Sequence, residues 1–181
     1  MAGLTAVHPH LTYRRLNLRD WDFCRTLAAD PEIRAVSLDP RPPTWWGHMR
    51  WMWKWTAGDA VAFVIEIDMA YGSARAARKD SGRELQSAGL FLASLLPGGG
   101  SEVSIVLLGA FRGMGIGTRA LKALTPRVEY DGGVFARIKS DNHASVKAFA
   151  NAGYVVATAK DWERVSEGRR DVLVLRWNGR I

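Results

Sequence analysis

The chain has 181 residues, 48% of them hydrophobic and 24% charged, the balance of one folded domain with a core rather than of a disordered chain. Lys and Arg number 25 against 18 Asp and Glu, a formal charge of +7, which favours anionic partners without choosing among nucleic acid, a phosphorylated cofactor and an acidic surface. The single cysteine, Cys24, excludes an intramolecular disulfide, no Cys/His cluster has zinc spacing, and no apolar run approaches the length of a membrane span. One domain over 1–181 is therefore predicted, with 1–10 flexible, a cytoplasmic setting, no metal and no membrane partner.

Leu11 to Leu16 alternates weakly and predicts a short strand. Apolar spacing over Asn17 to Ala29 predicts a helix that Asp30-Pro31 stops. Thr44, after the rigid Arg41-Pro-Pro, is placed to cap a second helix running to Thr56. Gly58-Asp59 turns into the β-branched run Ala60 to Asp68, a strand buried over most of its length. Ala70 to Ser87 shifts to Gly, Ser and charge and reads as a loop or hairpin tip. Strands follow at Ala88 to Leu95 and Glu102 to Leu108, joined by Pro97-Gly-Gly-Gly100. A glycine-rich loop, Gly109 to Gly117, opens a helix over 116–128. Val134 to Lys139 is a strand, Ser140-Asp-Asn142 opens a helix that ends at Gly153, and strands at Tyr154 to Ala159 and Asp171 to Trp177 close the chain. The sum is a mixed α/β sheet with helices packed on it.

Two segments carry chemistry. In Phe111-Arg-Gly-Met-Gly-Ile-Gly-Thr118, glycines at 113, 115 and 117 let a ligand approach the backbone. The first turn of the following helix presents free N–H groups, a site for a pyrophosphate, with Arg112 and Arg119 adding charge. A dinucleotide fold would want this loop after the first strand of a βαβ unit, and a nucleoside triphosphate site would want a lysine that is absent. The second segment, Asn142-His-Ala-Ser145 through Gly153-Tyr154, reads physically as a capped helix and its glycine stop.

Together and in this order, the two segments resemble the acyl-CoA N-acyltransferases of the GCN5-related (GNAT) superfamily. Arg112-Gly-Met-Gly115-Ile-Gly117 is similar to that family's pyrophosphate loop, and Ser140 to Tyr154 to its Asn-x-x-Ser…Gly-Phe/Tyr segment. The resemblance is specific from Glu102 to Tyr154. Within the superfamily it leans toward the branch acting on nucleotide-linked amino sugars. It implies a mostly antiparallel sheet of six to seven strands flanked by about four helices, with the fourth strand splayed from the fifth by a bulge and acetyl-CoA in the cleft. Leu107 would supply a backbone N–H to the thioester oxygen. Arg112, Gly113, Met114, Gly115, Ile116, Gly117, Thr118, Asn142 and Ser145 would border the cofactor.

An acetyl group would then pass directly to a primary amine of a small molecule, without an acyl-enzyme. Glu102 is the candidate base, taking a proton through water, with Glu66 second; a solvated hairpin residue is the plain alternative for Glu102. Many relatives carry an acidic tyrosine four residues after the serine. This chain has Phe149 there, leaving protonation of the thiolate to Ser145, another group or solvent.

Five of the eight tryptophans fall between Trp45 and Trp55, more than one helix can bury inward. Trp45, Met49, Met52 and Trp53 share one stripe, Trp51 and Trp55 another. In relatives this helix walls the acceptor pocket, so Trp45, Trp46, Met49, Trp53 and Glu66 are the candidate acceptor-binding residues. His48 and His143 are expected on exposed helix faces, Cys24 as a buried small hydrophobe, and His8-Pro-His10 as flexible terminus rather than metal site. Arg75, Arg78, Lys79 and Arg83 form a solvated run that would serve nucleic acid if the acceptor amine lay there or on a protein N-terminus. A non-catalytic binding module is the alternative of a different class. A monomer or homodimer fits either.

Overall fold

The computed structural model describes residues 10–57, 60–68 and 85–179. Gly58-Asp59, His8, Arg75, Arg78, Lys79, Arg83 and most of the expected 70–87 loop lie outside the described residues. Seven strands form one sheet: β1 Leu11–Arg15, β2 Val61–Asp68, β3 Leu85–Leu95, β4 Ser101–Leu107, β5 Val134–Lys139, β6 Tyr154–Val156 and β7 Val172–Trp177. Their order is β1-β2-β3-β4-β5-β7-β6, antiparallel throughout except for β4 beside β5.

The described residues carry six α-helices rather than about four: α1 Trp21–Ala29, α2 Pro31–Val36, α3 Trp45–Ala57, α4 Ile116–Leu124, α5 His143–Asn151 and α6 Ala159–Val165. Asp30-Pro31 ends α1 and also starts α2. The Asp30 carboxylate accepts from the N–H groups of Glu32 and Ile33, at 2.9 and 3.0 Å, and proline fits a first helical turn because its missing N–H has no partner to lose there. The expected strand to Ala159 stops at Val156 because Thr158 caps α6, its hydroxyl accepting from the Asp161 N–H at 3.2 Å. The helix expected over 116–128 is α-helical only to Leu124. Pro126 lacks the donor to continue it, and Thr125–Val128 tightens into a 3₁₀ turn.

Alternation sorts the sheet into two faces. Phe91, Ala93, Val103, Val134, Ala136 and Ile138 pack with α4 and α5 on one. On the other, Val64, Leu90 and Leu92 pack with α1, α2 and α3, while Phe135, Val172 and Val174 form a separate cluster with α6. The gap between those two clusters lies over β4 and β5.

The buried stripe of α3 is His48 and Met52, flanked by half-buried Trp51 and Trp55. Met52 thus leaves the stripe predicted for it, and His48 is interior rather than exposed. Its ring sits edge-on to Trp21 at 4.5 Å and stacks with Trp51 at 6.0 Å. Burial holds its pKa below the usual 6.5, against a backbone hydrogen bond at Trp21 that raises it and Arg25, which lowers it. The unfolded chain therefore binds the extra proton in the window below 6.5, and stability falls as pH drops through it. Denaturant melts at several pH values should show this loss in the wild type and a flatter dependence in His48→Phe.

Candidate active site

The ladder between β4 and β5 consists of two pairs, Ser101↔Val134 and Glu102↔Phe135, and beyond them the strands part. The Ser101 N–H donates to the Gly133 carbonyl at 2.9 Å, so odd-numbered amides of β4 face the β5 side. The Leu108 N–H donates to Ala88 of β3 at 2.9 Å, so even-numbered ones face the other way. Ile105 and Leu107 consequently aim their N–H groups into the splay, past the end of the ladder. The splay forms without the expected bulge in β4, whose register with β3 is unbroken from Ser101 to Leu107; the register shift lies between β2 and β3, where Ile65 and Glu66 face Gly89 and Ser87 and Ala88 of β3 is the extra residue.

The open end of β4 runs into the glycine loop. Gly113 and Gly115 have φ of +75° and +72°, in the left-handed region, and a Cβ on either would meet nothing within 4 Å. Their role is the turn and an unobstructed surface. Gly117 differs: a Cβ there would lie 3.6 Å from Leu107 and 3.8 Å from Ile105, so it packs α4 against β4. The start of α4 has no side-chain cap, and its first internal hydrogen bond, Arg119 N–H to Gly115, leaves the N–H groups of Ile116, Gly117 and Thr118 directed out of the helix. Met114 is exposed beside them. Arg112 donates to the Leu107 carbonyl at 3.1 Å and to Glu32 of α2 at 2.6 Å, and the Thr118 hydroxyl donates to Ala148 of α5 at 3.3 Å. These donors and this open surface fit a pyrophosphate.

Asn142 caps α5, its side-chain oxygen accepting from the Ser145 N–H at 3.1 Å; Ser145 is half-buried in that first turn. Phe149 is interior, edge-on to Tyr154 at 4.8 Å. The Tyr154 hydroxyl pairs with Thr125 at 3.0 Å, and burial pushes its pKa up. A tyrosine at 149 would enter this apolar contact.

On the face between the two helix clusters, Glu102 is bound by both oxygens to Arg137, at 2.7 and 2.8 Å, and Arg137 reaches Glu167 at 2.6 Å. These hydrogen bonds raise the Arg137 pKa against the opposing effect of burial. Glu167, at φ +54°, has the one left-handed backbone among the described non-glycine residues, a strain held by its ion pair. Ser104, two residues from Glu102 on the same face, is exposed in the middle of a central strand, so no helix covers the sheet there. Lys139 donates to Ala35 at 2.9 Å and Arg169 to Leu38 at 3.0 Å, tying the last turn of α2 and the segment after it across the opening.

The other candidates lie elsewhere. Glu66 takes Arg14 at 2.7 Å and the Thr12 hydroxyl at 3.4 Å, on β2, with β3 between it and β4. α3 packs chiefly over β2 as well, and Trp45, Trp46, Met49 and Trp53 are exposed on its outer side. His143 is exposed, as expected, and burial pushes the Cys24 thiol up to about 12, consistent with a small interior hydrophobe. Ile105, Ser104, Arg137 and Glu167 were not singled out from the sequence. The strand alternation that pairs Glu102 with Ser104 was the available signal for one of them.

Residues 10–155 match the family model of the acetyltransferase (GNAT) domain, and the chain belongs to that family. No curated protein is significantly similar in sequence. Among solved structures, a putative phosphinothricin N-acetyltransferase is 22% identical with a TM-score of 0.63, over 93% of this chain and 98% of that one. A spermidine N-acetyltransferase from Vibrio cholerae, in complex with CoA and spermine, is 15% identical with a TM-score of 0.63, over 92% of each chain. An aminoglycoside acetyltransferase in complex with coenzyme A and kanamycin is 13% identical with a TM-score of 0.61, over 91% of this chain and 94% of that one. These similarities show the fold.

Proposed function

We propose that the protein transfers an acetyl group from acetyl-CoA to a primary amine of a small molecule, within one ternary complex. The observation that carries this reading is the pair of inward N–H groups, Ile105 and Leu107, on a strand edge that leads directly into the uncapped start of α4. The loop from Arg112 to Thr118 would hold the pyrophosphate, and Asn142 and Ser145 would border the rest of the cofactor. When bound, acetyl-CoA supplies a thioester whose carbonyl carbon accepts the amine and whose oxygen gathers negative charge. Amide donors fixed in a water-poor cleft favour that charge because they need no reorganisation, and one such donor contributes roughly 3 kcal/mol.

The amine must arrive neutral or lose a proton as it attacks. Glu102 lies three residues along β4 from Ile105, about 10 Å at strand spacing, so it receives the proton through water, and exposed Ser104 between them can bind that water. Arg137 keeps the Glu102 carboxylate in one orientation. Phe149 offers no proton to the departing thiolate, leaving Ser145 or solvent to supply it. A nucleotide-linked amino sugar is the acceptor the sequence resemblance favours, while the neighbours named for phosphinothricin and spermidine widen the class to small amines generally.

Mass spectrometry of acetyl-CoA incubated with amino sugars, spermine and phosphinothricin tests the reading. One acetylated amine with release of free coenzyme A is the expected result. Coenzyme A binding with no acetylated product from any amine would favour a non-catalytic binding role.

A further inference from the structure

The aromatic excess on α3 has no role in the chemistry above. At roughly 250 Å² of surface per tryptophan, exposures of 55%, 70% and 70% at Trp45, Trp46 and Trp53 leave about 490 Å² of indole in solvent. Met49, 38% exposed, joins them. That is the scale of the largest apolar patch on a monomer, which is often a contact surface. At helical spacing the four side chains fall within an arc of about 100°, which begins beside the stripe that buries His48 and Met52 and turns away from it.

The helix itself contains no Asp or Glu, while Arg41 before it is paired with Asp39 at 3.0 Å. Arg50 and Lys54 are exposed on the same helix, and Arg25 of α1 lies near enough to His48 to lower its pKa. A half-embedded helix with tryptophan and methionine outward and cations along its flank has the composition of one that lies in a lipid–water interface, the rings among the headgroups and the cations on anionic lipid.

We infer that α3 docks the protein on an anionic lipid surface. Among the described residues no helix is long and apolar enough to cross a membrane, and surface docking is a separate physical matter from spanning. A second copy of the chain fits less well, since it would set Arg50 and Lys54 against like charges. A nucleic-acid strand also fits less well. It stacks bases on ring faces, whereas Trp45 and Trp46 meet edge to face at 4.7 Å and 87°, so that one ring face is already covered.

Flotation of the full chain with vesicles of phosphatidylcholine alone, or mixed with phosphatidylglycerol, tests this. The protein should float with the mixed vesicles and weakly with the neutral ones. Arg50→Gln and Lys54→Gln should each weaken the anionic binding about fivefold, and the double change Trp46→Ser with Trp53→Ser by more than about tenfold. All of these side chains are exposed, so unchanged thermal midpoints should confirm folding. Absence of flotation, or flotation of the tryptophan double variant equal to the wild type, would overturn the inference. So would protection of Trp46 and Trp53 from acrylamide quenching by oligothymidylate rather than by vesicles, or by self-association at raised protein concentration.

Discussion

Glu102→Gln should lower turnover by roughly 10²–10⁴-fold, the range over which a positioned base contributes, while coenzyme A affinity changes little. The carboxylate sits at the closed end of the β4–β5 splay, away from the loop at Arg112 to Thr118, so its loss removes a proton acceptor and not a cofactor contact. Arg137→Lys separates charge from orientation: one ammonium cannot reproduce the two bonds that the guanidinium makes to Glu102 at 2.7 and 2.8 Å. It should therefore fall between wild type and Glu102→Gln. Turnover within threefold of wild type in Glu102→Gln would remove this residue as the base.

Arg14→Met should destabilise the fold by about 2–4 kcal/mol. Arg14 binds Asp20 through two nitrogens at 2.7 and 2.8 Å and Glu66 through a third at 2.7 Å. Burial opposes the ionised Asp20, but Arg14 and the Asn17 N–H outweigh it and hold that carboxyl below its usual 3.8. Without Arg14, two carboxylates with side chains only 7% and 12% exposed lose their shared cation. Arg14 itself is about a third exposed, which keeps the cost below that of a wholly interior pair. For a domain of this size the loss corresponds to roughly 5–15 °C in the thermal midpoint, measurable by calorimetry. The penalty should shrink as pH falls below the usual 3.8 of an aspartate, where the Asp20 carboxylate takes up its proton and the pair with Arg14 is lost from the wild type as well.

The cofactor side of the cleft was legible because its signals are local. Glycines that need positive φ and the uncapped helix start are written within a few residues of one another, and the Asn142 cap is written beside the helix it starts. The acceptor side depends on pairs distant in the chain. Glu102 was visible as a carboxylate at a strand end, but Arg137 stands 35 residues away, and only the parallel register of β4 with β5 brings them together. Ile105 was missed beside Leu107 because the direction of a strand amide follows from which neighbour takes the alternate bonds. The sequence showed that five indoles could not all turn inward, and not which would. Met52 packs with Val64 and Leu90, Trp51 and Trp55 lie half-buried against the same cluster, and Trp45, Trp46 and Trp53 are left outward. The short helices α2 and α6 escaped notice because each begins at a residue that also reads as a terminator or a loop.

Coenzyme A is expected to lie along the open edge of β4 and on the start of α4. Titrating the ¹⁵N-labelled protein with coenzyme A and following backbone amide shifts tests it most directly. The largest shifts are predicted at Ile105 and Leu107 and at Ile116, Gly117 and Thr118. Shifts confined to other elements, or no change at millimolar coenzyme A, would contradict it.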